Sequence, residues 1–252
     1  MYLVVYGEIF LKGANRNYFE SRLINDIKEA VPEAKITKLR NRILVDTENA
    51  DVLKRIFGIV FMVKVKEVKF EELSKETLKL IKNEKTFRIT TKRSDKSVNI
   101  LSQKLNEDLG GYILNNKDIK VKLNNPEIEI VIEIVNKKYL IYKNEEKIKG
   151  LGGLPVGSSG RVLVKVNDEK RSSVAAFLMM KRGCTISLTK DLELLHKLEY
   201  GFKIKIKEEK NDVLVLDNGI RNMPGKNNLI LTPLIGLDDK EIDRIYQKLH
   251  AL

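Results

Sequence analysis

Apolar positions along this chain switch between period two and helical spacing, and the switches divide it into three segments. In the first, an apolar run at residues 2–6 precedes residues 17–31, where Phe19, Leu23, Ile27 and Ala30 share one helical face with Asn15 or Asn17 as N-cap. Strands at 35–39 and 42–46 flank a tight turn at Arg40 and Asn41, and a helix at 50–57 and a strand at 59–66 complete a βαββαβ, ferredoxin-like order. The second segment reads helix 71–83, strand 86–91, helix 100–115, strand 119–123, a turn at Asn124-Asn125-Pro126, and strands 127–135 and 139–143. The third reads strand 161–166, helix 173–182, strand 185–188, helix 191–200, strand 202–207 and a closing helix 238–249, the start of a doubly wound pattern. The fold class is α/β, with an α+β N-terminal part.

Strand, short loop and helix N-terminus form the usual cradle for a phosphate, because unpaired backbone N–H groups and the helix dipole converge there. Here a glycine-rich connector, residues 150–160, leads into the strand, and the loop reads Asn167, Asp168, Glu169, Lys170, Arg171, Ser172. It has no glycine to supply positive φ angles or close approach, and two carboxylates stand where an anion would bind.

Composition narrows the class. The 252 residues are 42% hydrophobic, enough for two or three small cores. No charge-free apolar stretch reaches the roughly 18 residues needed to span a bilayer, and the apolar start is too short for a signal peptide, so a membrane role is not expected. Cys184 stands alone, which excludes an intramolecular disulfide and a multi-cysteine metal site and points to a reduced, cytoplasmic setting. Net charge is +12, with 30 basic against 22 acidic residues through Gly150 and 17 against 13 after it. Such an excess favours a polyanion, chiefly nucleic acid, although lysine- and glutamate-rich surfaces also occur in heat-adapted proteins.

Several stretches together resemble the tRNA 4-thiouridine synthetases (tRNA sulfurtransferases). They are Tyr6-Gly7-Glu8-Ile9-Phe10-Leu11-Lys12-Gly13, Phe57-Gly58-Ile59-Val60, Lys92-Arg93-Ser94-Asp95-Lys96-Ser97, Lys147 through Gly160, Ser173 through Cys184, and Pro233-Leu234-Ile235-Gly236-Leu237-Asp238. The resemblance covers nearly the whole chain. It implies a ferredoxin-like domain at 1–67, an RNA-binding THUMP domain at 68–149, a connector at 150–160, and at 161–252 a shortened, Rossmann-like remnant of the ATP-pyrophosphatase (PP-loop) domain. Where the family carries Ser-Gly-Gly-X-Asp-Ser to grip ATP, this chain matches only the last serine, Ser172. The resemblance further implies that the middle of the family's catalytic domain, which supplies further nucleotide contacts and the sulfur-handling cysteines, is missing.

The expected function is tRNA binding without an ATP-dependent adenylation step, so no cofactor, metal or catalytic residue is expected. Lys12, Arg16, Lys92, Arg93, Lys96, Lys147 and Lys149 are the candidates for RNA contact; Lys92, Arg93, Lys96 and Lys149 match the family's motifs, and a solvated surface is the plain alternative for any single lysine. An active sulfurtransferase is the main alternative, with ATP, Mg²⁺ and an external sulfur donor. A third reading is a non-catalytic partner of a tRNA-modifying enzyme, or a homodimer, in which the last domain serves as the interface. Lys203, Lys205 and Lys207 read as the wet face of a strand. His196 and His250 have no acid at catalytic or metal spacing, Met179 and Met180 belong to a core face, and Cys184 reads as a buried inert thiol.

Overall fold

The computed structural model describes residues 1–94, 101–208, 213–217 and 229–252. The chain forms two compact units, one from Met1–Val5, Ala34–Glu48 and Phe61–Lys149, the other from Tyr6–Glu33, Asn49–Val60 and Gly150–Leu252.

The first unit holds two sheets. Strands β1 (Tyr2–Tyr6), β2 (Lys35–Leu39), β3 (Arg42–Asp46) and β4 (Ile59–Lys64) belong to one. Strands β5 (Lys66–Val68), β6 (Thr86–Arg93), β7 (Lys120–Val121), β8 (Ile128–Val135) and β9 (Lys138–Lys143) form the other, in the order β5-β9-β8-β6-β7. A short β10 (Ile148–Lys149) returns to the first sheet, whose order is β10-β4-β1-β3-β2. Apart from β10, that is the order a ferredoxin-like unit requires. The run expected as one strand at 59–66 is thus two strands of different sheets, parted at Val65, whose N–H donates to the Met1 carbonyl. Positive φ at Asn41 closes the β2–β3 turn, and positive φ at Asn136 and Lys137 closes β8–β9.

Strand β8, Ile-Glu-Ile-Val-Ile-Glu-Ile-Val, is buried on both faces. Ile128, Ile130, Ile132 and Ile134 enter a core with Leu105, Leu109 and Ile113 of a helix at Ser102–Asn116. Val131 and Val135 enter a second core with Leu3, Val5, Leu44 and Val63 of the first sheet. Glu133 shares that second face, so its carboxylate is carried into the interior.

In the second unit all strands run parallel: β11 (Arg161–Val164), β12 (Thr185–Leu188), β13 (Lys205–Ile206), β14 (Leu214–Val215) and β15 (Ile230–Leu231), in the order β13-β12-β11-β14-β15. In chain order the α-helices are α1 (Arg16–Ala30), α2 (Leu73–Leu80), α3 (Ser102–Asn116), α4 (Glu169–Lys181) and α5 (Asp239–His250). Helix α4 buries Val174, Ala175, Ala176, Phe177, Met179 and Met180, and the Phe177 ring lies 5.6 Å from that of Phe57. Met179 and Met180 are therefore core, and Cys184 is buried, its thiol pushed up by burial. The helices expected at 50–57 and 191–200 are shorter 3-10 segments, Ala50–Arg55 and Glu193–Leu198. The strand expected at 202–207 shrinks to β13, where Ile206 is itself exposed. Among the described residues no helix is long and apolar enough to cross a membrane.

Candidate nucleic-acid interface and phosphate loop

Helix α4 begins at Glu169, four residues before its expected start, so most of the presumed loop is the helix's first turn. Asp168 is the N-cap, accepting from Arg171 N–H at 2.8 Å. The remaining donors converge on a residue absent from the sequence-based candidates, Asp217, at the C-terminal end of β14. Its carboxylate accepts from Asn167 N–H at 3.3 Å, Asn167 Nδ2 at 3.0 Å, Asp168 N–H at 2.9 Å and the Ser172 hydroxyl at 2.7 Å. Asp217 has no solvent exposure. Burial opposes its charge, but the bonds from Asn167, Asp168 and Ser172 overcome that and hold the carboxyl below the usual range. The apolar run at 213–216 followed by an acid was the available signal, because the C-terminal ends of parallel strands are where such sheets place functional groups.

The loop's cations are also engaged. Lys170 Nζ lies 2.6 Å from Asp243, and Arg171 binds Asp239 at 3.0 Å and the Asp217 carbonyl at 3.1 Å. Beside the loop, Lys165, Val166, Asn167, Thr189, Ile206 and Lys207 line a crevice of about 450 Å³. Of the loop's N–H groups, those of Asn167 and Asp168 already go to the Asp217 carboxylate and that of Arg171 to Asp168, and Lys170 and Arg171 already hold acids.

The basic candidates fall in two places. In the first unit, Lys92 and Arg93 end β6, and Lys147 lies beside Lys92. Lys147 Nζ reaches the Asn144 side chain and sits 4.8 Å and 5.7 Å from the ring centres of Phe61 and Tyr142. Burial, followed by the like charge of Lys92, lowers its basicity. Nearby, the buried Glu133 is held by Arg42 at 2.8 Å and by the Ser94 hydroxyl at 3.0 Å, and with Glu129 it partly offsets those two effects on Lys147. Lys149 is exposed and pairs with Phe61 across β10 and β4. Lys96 lies outside the described residues.

In the second unit, Lys12 and Arg16 are held against rings. Lys12 Nζ is 4.9 Å from the centre of Phe19, and the Arg16 guanidinium is 4.9 Å from Phe10. Arg16 Nε also donates to Glu20 at 2.8 Å, and Glu20 accepts the Tyr6 hydroxyl at 2.5 Å. His196 departs from its sequence reading, because acids do flank it: Asp191 at 3.0 Å and Glu199 at 3.2 Å, whose bonds raise its pKa. The group is exposed and lies among charges that suit a surface ion pair.

Residues 1–62 match the ThiI ferredoxin-like domain and residues 67–144 the THUMP domain. A probable tRNA sulfurtransferase of Thermoanaerobacter sp. (strain X514) is 36% identical over 197 residues, covering 73% of this chain and 51% of that one. The chain thus spans about half the length of the curated relatives it matches. The crystal structure of PH1313 from Pyrococcus horikoshii Ot3 superposes with a TM-score of 0.79 at 30% identity, covering 99% of both chains. A 4-thiouridine synthetase solved as an RNA complex with bound ATP shares the fold, with a TM-score of 0.74 at 23% identity over 98% of this chain and 84% of that one. The chain belongs to the tRNA sulfurtransferase (4-thiouridine synthetase) family.

Proposed function

We propose that the protein binds tRNA in the cytoplasm and does not itself activate it with ATP. The observation that carries this reading is the Asp217 carboxylate held by Asn167, Asp168 and Ser172, an internal anion in the place of a phosphate. The RNA half rests on the family's THUMP domain and on Lys92, Arg93, Lys147 and Lys149, which present positive charge from the first unit. The relatives' name supplies the expected RNA class. One paired experiment tests both halves. Filter binding over a salt series is expected to give a log–log slope of several units and a preference for folded tRNA over poly(U). Thermal melting with millimolar ATP and Mg²⁺ is expected to show no shift, whereas a nucleotide at one hundred times its Kd would add about 2.7 kcal/mol. A flat salt dependence sinks the RNA reading, and a saturable ATP shift makes the active sulfurtransferase the better one.

A further inference from the structure

Lys147 is placed unlike the exposed lysines of the first unit. It follows the 3-10 turn Asn144–Glu146 and precedes β10, and it is half-buried, whereas Lys149 two residues on is exposed. Its Nζ lies against the rings of Phe61 and Tyr142, donates to the Asn144 side-chain oxygen and is close enough to the Lys92 amine for the two to interact directly. Glu129 and Glu133 of β8 favour its charge, but both are engaged elsewhere. Glu133 is held by Arg42 and Ser94, and Glu129 accepts from the Thr90 hydroxyl at 2.5 Å. The Tyr142 hydroxyl is buried, which keeps it protonated and neutral. The two rings attract an ammonium by their π faces and at the same time exclude its water. Burial and the neighbouring ammonium prevail, so more of Lys147 than of an ordinary lysine is free amine at neutral pH.

We propose that Lys147 is a site of acylation by small acyl phosphates, with Lys147 as the nucleophile and Lys92 holding the phosphate. A lysine becomes nucleophilic when it is desolvated or set beside a second cation, and both conditions meet here. An acyl phosphate carries its electrophilic carbon one oxygen away from its phosphorus, so two adjacent amines can meet both ends of it. The free amine of Lys147 attacks the acyl carbon and a C–N bond forms. The C–O bond to phosphate breaks, inorganic phosphate leaves with the electron pair, and the nitrogen gives its proton to water. A neutral acyl donor would gain nothing from Lys92, which is why an anionic one fits better. The amide formed has no charge, so one cation is lost beside Lys92. That last consequence rests on the tRNA-binding reading: acylation would weaken the RNA contact at the end of β6.

The test treats the full chain with acetyl phosphate and follows acetylation at each lysine by peptide mass spectrometry. Near neutral pH, Lys147 is expected to react about five- to tenfold faster than Lys149, an advantage that shrinks as pH rises and Lys149 also loses its proton. Added inorganic phosphate should slow Lys147 and leave Lys149 unchanged, which tests the phosphate site without any variant. Lys92→Gln should bring Lys147 down to the rate of Lys149 and abolish the effect of phosphate. Lys203→Gln, at an exposed position in the other unit, should change nothing, with circular dichroism melts confirming that both variants fold. Equal rates at Lys147 and Lys149 overturn the acylation site. A fast Lys147 that neither phosphate nor Lys92→Gln slows overturns the part given to Lys92. Lys147→Gln, which mimics the amide, should bind tRNA several-fold more weakly, and unchanged binding overturns the consequence for RNA. No tRNA binding by wild type overturns the tRNA-binding reading and leaves the acetylation result standing.

Discussion

Asp26 sits on α1 with 1% exposure, and neither carboxylate oxygen has a hydrogen bond of good geometry. Arg22 Nε lies 3.1 Å away but also donates to the Val156 carbonyl at 2.9 Å. Glu29 adds like charge from the same helix, and Tyr200 faces the acid from the segment after β12. Desolvation outweighs the pull of Arg22 and lifts the carboxyl to about 7. The folded chain therefore keeps a proton that the unfolded chain releases near pH 3.9. Its contribution to stability is fully present below about pH 4 and is lost as pH rises toward 7, by at most about 4 kcal/mol. Urea melts should show a midpoint that falls between pH 4 and pH 7 in wild type, with a much shallower fall in Asp26→Asn. Parallel pH profiles for the two proteins would rule this out. None of it was legible in the sequence, where Asp26 occupies a helical position like any solvated acid. Asp217 was marked only as an acid after an apolar run; its partners were hidden, because they are set by tertiary contacts across about 50 residues.

At the scale of elements, long periodic stretches were readable and short ones were not. The Phe19, Leu23, Ile27 spacing found α1 to within a residue at each end, because four turns repeat the pattern often enough to fix it. Six-residue segments such as Ala50–Arg55 complete too few turns to distinguish α from 3-10. The start of α4 was misplaced because the cap at Asp168 begins the helix with a charged turn, Glu169 to Ser172, ahead of its apolar face. The glycine-rich connector was recognised, but what it does depends on close approach. Gly152 and Gly153 both have positive φ, 68° and 75°. A Cβ on Gly152 would meet nothing within 4 Å, whereas one on Gly153 would lie 2.1 Å from the Lys181 carbonyl at the end of α4. The Leu154 N–H donates to that carbonyl at 2.9 Å, so the backbones cannot separate without losing a bond. Gly152→Ala should cost about 1 kcal/mol from φ alone, and Gly153→Ala several times as much. Thermal melts of the two variants provide the comparison, and equal losses would mean that the connector can move away from α4.

At the scale of the whole molecule, the proposed tRNA binding depends on where the positive charge lies. The three segments were legible as a succession of hydrophobic patterns. Their grouping was not, since the first segment's strands join the second segment's unit while α1 and Ala50–Arg55 join the third's. That grouping separates the basic candidates into Lys92, Arg93, Lys147 and Lys149 in one unit and Lys12 and Arg16 in the other. It also supplies a control for non-specific electrostatics. Lys203 and Lys205 are exposed in the second unit, and Lys203 is already paired with Glu199 at 2.7 Å. Reversing Lys92 and Arg93 to Glu removes the same charge as reversing Lys203 and Lys205, but it acts beside Lys147, where a new acid would also compete with phosphate for that ammonium. The first pair should weaken tRNA binding much more than the second and reduce the salt slope by about two counterions. Arg93 is half-buried and Lys92 stands opposite Glu133, so melting temperatures are read alongside to separate lost binding from lost stability. Filter binding at two salt concentrations reads both effects. Equal losses for the two pairs would show that the protein holds tRNA by diffuse charge with no site at the end of β6.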